Sequence, residues 1–82
     1  ISCIGWDSIG QQLLIGYRNG NIDLLKGDQT INIPDVVQSG FMGNKNYTNC
    51  FVKDGFAYFT AGLGVIVLNL SKREIKETWI IG

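Results

Sequence analysis

A repeated arrangement of turn residues constrains this chain more than any other feature of its sequence. Two residues recur 47 positions later (50 − 3 and 54 − 7), namely Cys3 as Cys50 and Asp7 as Asp54. Three more recur 44 positions later (64 − 20), namely Gly20, Ile22 and Leu24 as Gly64, Ile66 and Leu68. Self-similarity at such a period indicates a repeat architecture. The two offsets differ by a change of length in a turn, which surface loops tolerate. We therefore expect two divergent copies of one unit.

Each copy contains four short runs of β-branched and aromatic residues separated by turn signals, a pattern typical of an antiparallel meander. The predicted strands of the first copy cover residues 1–6, 12–17, 21–26 and 30–33, and those of the second cover 47–53, 56–60, 65–70 and 75–81. Asn19-Gly20 is the strongest hairpin signal and predicts a type I′ turn. No segment is predicted to be helical.

Two four-stranded units at this spacing predict an all-β fold, in which two antiparallel meanders form successive blades of a β-propeller. The expected division is blade one at 1–33, a connection at 34–46 and blade two at 47–82. Two blades cannot close a ring of the usual roughly four to eight. The chain is therefore expected to be a fragment of a larger ring, to associate with copies of itself, or to pack as an incomplete sandwich. Isolated, it should expose apolar blade faces and be oligomeric or poorly soluble.

Composition excludes several functions. The net charge is zero and the chain has no histidine, so nothing predicts an electrostatic grip on nucleic acid or an anionic membrane. The usual Ser-His and Cys-His catalytic pairs are absent, and no apolar run approaches the length of a membrane helix. The turn carboxylates are expected to cap turns rather than to hold a metal or catalyse a reaction: Asp7, Asp28, Asp54 and Glu74. We predict no cofactor, no metal site and no catalytic residues.

The two cysteines occupy equivalent positions in the first strand of each copy. The favoured interpretation is a pair of buried, unpaired small residues, since a free cysteine packs as a small hydrophobe. The alternative is a disulfide between the copies, which requires the two Cα atoms to lie within about 7 Å.

Propeller connectivity predicts the candidate ligand face. The loops between the second and third strands and the connections between blades share one end of the blades. This end is predicted to carry donors, a cation and an aromatic surface, from Tyr17, Arg18, Asn19, Asn44, Lys45 and Leu63. Ordinary solvated loops are the alternative. Residues 41–43 in the connection are expected to pack back onto the domain or, alternatively, to form a contact surface.

Several segments resemble the N-terminal β-propeller of PorZ-type proteins, which are exported proteins of Bacteroidota. They are Gly16-Tyr17-Arg18-Asn19-Gly20-Asn21-Ile22-Asp23-Leu24-Leu25, Ile31-Asn32-Ile33-Pro34-Asp35, Gly62-Leu63-Gly64-Val65-Ile66-Val67-Leu68-Asn69-Leu70 and Lys72-Arg73-Glu74-Ile75. The resemblance implies a non-enzymatic protein of the periplasm or the cell surface, associated with the outer membrane. The family's best-known member works with the sortase of the type IX secretion system, in an attachment complex that handles anionic lipopolysaccharide.

The first functional hypothesis is therefore a binding or scaffolding propeller fragment, linked to type IX secretion and cell-surface attachment, with a protein or glycan partner at the envelope. The alternative is the periplasmic ligand-sensing propeller of a two-component regulator. A third is an enzyme whose catalytic residues lie on other blades. Asp7-Ser8-Ile9 also resembles the pattern that Bacteroidota O-glycosylate on exported proteins, which makes Ser8 a candidate modification site; a plain turn is the alternative.

Overall fold

The computed structural model describes residues 2–38, 45–62 and 64–80. The strands are β1 (Cys3–Asp7), β2 (Gln12–Gly16), β3 (Ile22–Lys26), β4 (Gln29–Ile33), β5 (Tyr47–Lys53), β6 (Phe56–Ala61), β7 (Gly64–Asn69) and β8 (Glu74–Ile80), and one short helix, α1 (Asp35–Gln38), follows β4. The first four strands form one antiparallel sheet in chain order, and the last four form another. The prediction of two four-stranded antiparallel meanders is confirmed.

The hairpin between β5 and β6 has a two-residue turn. Lys53 pairs with Phe56, so two residues connect the strands. Both have positive φ, 54° at Asp54 and 83° at Gly55. This is the pattern of a type I′ turn, whose twist matches that of the strands it joins.

The turn between β2 and β3 is built differently, and the predicted type I′ geometry at Asn19-Gly20 is wrong. Only Gly20 has a positive φ in this turn, at 93°. The backbone N–H of Gly20 donates to the Tyr17 carbonyl at 3.1 Å, and the Asn19 side chain accepts from the Asn21 backbone N–H at 3.0 Å. This side-chain hydrogen bond stabilises a backbone conformation in which Asn19 does not have a positive φ. The result is a three-residue loop with glycine last.

Helix α1 was not expected, and the prediction that no segment is helical is wrong. Pro34 precedes it, and its carbonyl accepts a 2.9 Å hydrogen bond from the Gln38 backbone N–H. Proline has a φ suited to the start of a helix and lacks the donor that the first turn cannot use. Val36 is completely buried, so packing of one apolar side chain favours this single turn. Residues 41–43, predicted to pack back onto the domain, lie outside the described residues.

The core lies between the two sheets. In each sheet, alternate residues of the inner strands point toward the other sheet. Neighbouring strands place these core residues opposite each other: Leu14 pairs with Leu24 in the first sheet, and Phe59 pairs with Ile66 in the second. The buried cluster consists of Leu14, Ile22, Leu24, Ile33, Val36, Tyr47, Cys50, Ala57, Phe59, Ile66, Leu68 and Leu70.

Strands β1 and β5 lie side by side, and glycines allow their close approach. A Cβ atom on Gly5 would lie 2.6 Å from the Cys50 sulfur, and one on Gly16 would lie 2.8 Å from Cδ2 of Tyr47. Contacts this short would force a neighbour to move. Glycine at these positions therefore sets the distance between the sheets at this seam.

The outer faces of the two sheets carry exposed apolar side chains. Ile4 and Trp6 on β1 are each 57% exposed, and Phe51 on β5 and Trp79 on β8 are each 51% exposed. The rings of Phe51 and Tyr58 stack at 4.9 Å with an angle of 9° between their planes. Apolar faces of this kind match the way propeller blades pack on their neighbours. Association or poor solubility of the isolated chain stays a prediction.

Candidate functional site

The predicted ligand face centres on the β2–β3 turn, residues 17–21. Tyr17 closes the base of the turn, where its backbone N–H donates to the Asn21 carbonyl at 3.0 Å. Arg18 and Asn19 at the tip are exposed, and Gly20 is buried. The backbone is thus held by hydrogen bonds while a guanidinium group and an amide point to solvent. Such pre-ordering lowers the entropic cost of binding a partner.

The second sheet holds this turn in place. The Tyr47 hydroxyl donates a buried 2.8 Å hydrogen bond to the Gly20 carbonyl. A Cβ atom on Gly20 would lie 3.0 Å from Cβ of Lys45 and 2.9 Å from Cγ1 of Val36. The structure therefore brings Tyr17, Arg18, Asn19 and Lys45 to one end of the molecule. The other two predicted members of this face, Asn44 and Leu63, lie outside the described residues.

A hydrogen-bonded polar row runs from this end onto the outer face of the first sheet. It consists of Tyr17, Asn21, Asp23 and Asn32. The Tyr17 hydroxyl donates to Oδ2 of Asp23 at 2.8 Å. Nδ2 of Asn32 donates to Oδ1 of Asp23 at 2.9 Å and to Oδ1 of Asn21 at 2.9 Å. The hydrogen bond to Asp23 raises the pKa of Tyr17, with smaller effects of burial and of the Asp23 charge. The phenol therefore stays a hydrogen-bond donor at neutral pH.

Sequence reasoning missed Asp23, Asn32 and Asn21 as parts of this end. The signal was available, because the Gly27-Asp28 turn predicts a hairpin, and counting back from it places Asp23 opposite Asn32. That pairing is present in the structure. Two polar residues directly opposite each other on a sheet form a contact pair. Strand positions without this register do not show that the two residues are paired.

A cavity lies at the opposite end, where the other hairpins of the two sheets meet. Its volume is about 250 Å³, and it is lined by Asp7, Ile9, Gly10, Gln12, Lys26, Gly55, Leu70, Ser71 and Arg73. Asp7 is buried and accepts a 2.8 Å hydrogen bond from Nε2 of Gln12. Lys26 and Arg73 are exposed. No sequence pattern predicts this cavity, because its existence depends on how far apart the two sheets lie.

Ser8 sits in the turn beside this cavity. The Asp7 carboxylate accepts a 3.1 Å hydrogen bond from the Ile9 backbone N–H, which is the Asx turn that the plain-turn interpretation describes. Ser8 itself is exposed, and Ile9 is 78% exposed. The hydroxyl is accessible to a modifying enzyme, and O-glycosylation stays a prediction.

Both cysteines are free thiols, with Cys3 partly and Cys50 fully buried. Burial raises the pKa of Cys3 above its ordinary value. Burial, the charge of Cys3 and a hydrogen bond to it raise the pKa of Cys50 to about 12. Since the thiolate is the nucleophilic form, burial makes the thiolate fraction of both cysteines at neutral pH smaller than that of an exposed cysteine.

No described group of three His, Cys, Asp or Glu side chains has the arrangement of a metal site. Within the same residues, no helix is long and apolar enough to cross a bilayer. The described surface offers hydrogen-bond donors, acceptors and two cations around a turn, together with a small cavity that has both polar and apolar lining residues. This chemistry is suited to binding.

Comparisons with known proteins agree with the fold. The family model of the type IX secretion protein PorZ, N-terminal β-propeller domain, matches residues 1–82. The chain also resembles a solved structure of PorZ from Porphyromonas gingivalis, described as an essential bacterial surface component of the type IX secretion system. The match has a TM-score of 0.86 and 25% sequence identity, and it covers 96% of this chain and 11% of that one. No curated protein gives a significant match.

Proposed function

The chain belongs to the family of PorZ N-terminal β-propeller domains, and from that membership we propose that it is a non-catalytic binding and scaffolding part of an exported Bacteroidota protein. It spans about a tenth of the length of the PorZ chain that it resembles, 11%. Its proposed place is the cell envelope, at the periplasmic or outer surface of the outer membrane. Its neighbours in the assembled protein are the remaining blades of the ring.

The observation that carries the proposal is the anchored turn at residues 17–21. Arg18 and Asn19 are exposed on it, while the buried bond from the Tyr47 hydroxyl to the Gly20 carbonyl fixes it to the second sheet. Binding residues are commonly found on loops held by a rigid scaffold. Arginine and asparagine present planar groups with several donors. We propose that this end contacts a protein or a glycan of the envelope.

A capture experiment with the full-length protein as bait tests this proposal. An outer-membrane extract is passed over the wild-type protein and over an Arg18→Ala, Asn19→Ala, Lys45→Ala variant, and bound proteins and glycans are identified by mass spectrometry. We expect at least one envelope protein or glycan to bind the wild type and to lose most of its binding to the variant.

A matched control variant, Lys53→Ala with Lys72→Ala, changes exposed cations elsewhere on the chain. It should bind as the wild type does, and both variants should keep the wild-type melting temperature. Equal capture by the wild type and the turn variant contradicts the proposed site, and recovery of no envelope protein or glycan contradicts the proposed function.

The cavity of about 250 Å³ between the hairpins favours a second candidate function, the sensing of a small ligand by the propeller of a two-component regulator. Its volume is close to the lower end of ligand pockets, about 300 Å³. Titration calorimetry with mono- and disaccharides tests this function. Binding that Lys26→Ala weakens supports it, and the absence of heat from every sugar opposes it.

A further inference from the structure

The two cysteine sulfurs occupy the same seam between β1 and β5. Cys3 lies on β1 and Cys50 on β5, and the two strands are neighbours. The Cys50 sulfur is 2.6 Å from the position that a Cβ atom of Gly5 would take, and the Cys3 sulfur is 2.5 Å from the corresponding position of Gly16. Glycine thus leaves space for both sulfur atoms between the sheets.

The two thiols interact. Both sulfur atoms lie in this one seam, beside Gly5 and Gly16, and each thiol affects the pKa of the other. A disulfide requires Cβ atoms roughly 3.5 to 4.5 Å apart and side chains that point toward each other. Because the two cysteines lie on neighbouring strands and both sulfur atoms lie in the seam between them, we expect side-chain rotation to be the main change that bonding requires. In the structure both cysteines are unpaired, as the favoured interpretation predicts, so the structure shows the reduced state.

We propose that Cys3 and Cys50 are an oxidation site, at which a disulfide-bearing oxidant converts the two thiols into a covalent bond between the first and second blades. The oxidant is a small-molecule disulfide or the disulfide of a thiol–disulfide oxidoreductase. This inference concerns the chain's own covalent state and goes beyond the proposed binding function.

The reaction has two steps. Cys3, the more accessible of the pair, loses its proton to solvent and attacks the oxidant, forming a mixed disulfide and releasing one thiolate. Cys50 then loses its proton and attacks the Cys3 sulfur, and the second half of the oxidant leaves as a thiolate. The two protein sulfurs give up two electrons, the oxidant disulfide accepts them, and the two protons appear on the released thiols.

The bond would close a loop between positions 3 and 50 and join the first strands of adjacent blades. Cross-links over long loops restrict the unfolded chain most strongly. Disulfides persist in the oxidising compartments outside the cytosol, and the envelope location proposed above is one of these. A bond at this seam would hold the two sheets together independently of the other blades.

Differential alkylation of the full-length protein tests the proposal. The native protein is incubated with oxidised glutathione, quenched with acid, alkylated and digested with trypsin. Cys50 then lies on the peptide 46–53, and Cys3 on the peptide that ends at Arg18. We expect a disulfide-linked pair of these peptides and an about tenfold fall in the alkylation of both cysteines.

Two single variants show which step occurs. Cys50→Ser should leave Cys3 with a lasting glutathione adduct, because no second thiol resolves it, whereas Cys3→Ser should leave Cys50 unmodified. Cys50→Ala replaces Cys50→Ser if serine at this buried site lowers the melting temperature. The proposal is overturned if wild-type Cys3 keeps a glutathione adduct without the cross-link. It is also overturned if both thiols remain alkylatable after a time that fully oxidises free dithiothreitol in the same solution.

Discussion

The two sheets have the same inner faces and different outer faces. Ile22 and Leu24 of the first sheet recur as Ile66 and Leu68 of the second, and all four are completely buried. The residue between the first two is Asp23, and the corresponding residue of the second sheet is Val67. Asp23 holds a polar row, while Val67 is buried. The shared core restricts substitution on one face of the repeat and leaves the other face able to diverge.

This difference gives the outer faces of the two blades different chemistry. The first blade carries the hydrogen-bonded row that begins at Tyr17 and reaches Asn32, so its outer face is polar toward the proposed binding end. The second blade carries the stacked rings of Phe51 and Tyr58. Aromatic surface favours packing on another sheet. The outer face of the first blade thus offers hydrogen-bonding groups near residues 17–21, whereas that of the second offers stacked aromatic rings.

The largest expected effect comes from the shared inner face. Phe59→Ala removes a completely buried ring and should lower the free energy of unfolding of the intact propeller by about 3 to 5 kcal/mol. Thr30→Ala on exposed β4 is the control and should change it by less than about 0.5 kcal/mol. Urea unfolding followed by tryptophan fluorescence measures both. Similar effects of the two changes would remove the distinction between the faces.

The next largest change in the free energy of unfolding is expected at the seam between β1 and β5. Gly5→Ala places a methyl group 2.6 Å from the Cys50 sulfur, whereas the next nearest atom is 3.8 Å away. The overpacking should cost about 1 to 3 kcal/mol. Since one side chain causes the clash, Cys50→Ala in the same protein should recover much of the loss. A double-mutant cycle of urea unfolding measures the coupling, and additive effects would show that the seam adjusts in some other way.

Loss of the hydrogen bond between the Tyr47 hydroxyl and the Gly20 carbonyl should lower the free energy of unfolding by a similar or smaller amount. Tyr47→Phe removes the buried hydrogen bond to the Gly20 carbonyl and should cost about 1 to 3 kcal/mol, because that carbonyl loses its partner. Tyr58→Phe is the control on the outer face, where the ring rather than the hydroxyl makes the stacking contact. Thermal melting of the two variants compares them. Equal melting temperatures would mean that the hydroxyl does not hold the turn.

The smallest expected effect concerns the outer face. Asp23→Val gives the first blade the residue of the second and removes the acceptor of the Tyr17 hydroxyl. The free energy of unfolding should change by less than about 1 kcal/mol. The pKa of Tyr17 should fall toward its ordinary value, because Asp23 is the main cause of its rise. An NMR titration of ¹³C-labelled tyrosine follows it, and an unchanged pKa would contradict the hydrogen bond.

The strands and their order were predictable because turn residues and alternating apolar residues mark them directly. The turn at Asn19-Gly20 was predicted in place but not in type, since an Asn19 side-chain hydrogen bond competes with the backbone preference. Helix α1 was missed because one turn after Pro34 has no periodic pattern, and its stability depends on burying Val36 in another part of the fold.

The candidate site was predictable only in outline. Connectivity is enough to place Arg18, Asn19 and Lys45 at one end, because hairpin loops alternate between the ends of a meander. The row through Asp23 needs the register of β3 and β4 as well. Predicting the cavity around Asp7 and Gln12 requires the distance between the two sheets. That distance depends on side-chain volumes, including the absence of a side chain at Gly5. The residue pattern of a single strand therefore does not predict features that depend on strand register or on the distance between the sheets.

The hydroxyl of Tyr47 has a mechanical consequence. It joins the first residue of β5 to the carbonyl of Gly20 at the tip of the first blade. A force applied to that tip would pass through this bond into the second blade as well as along the strands of the first. A pulling force at this end would thus be resisted by both blades together.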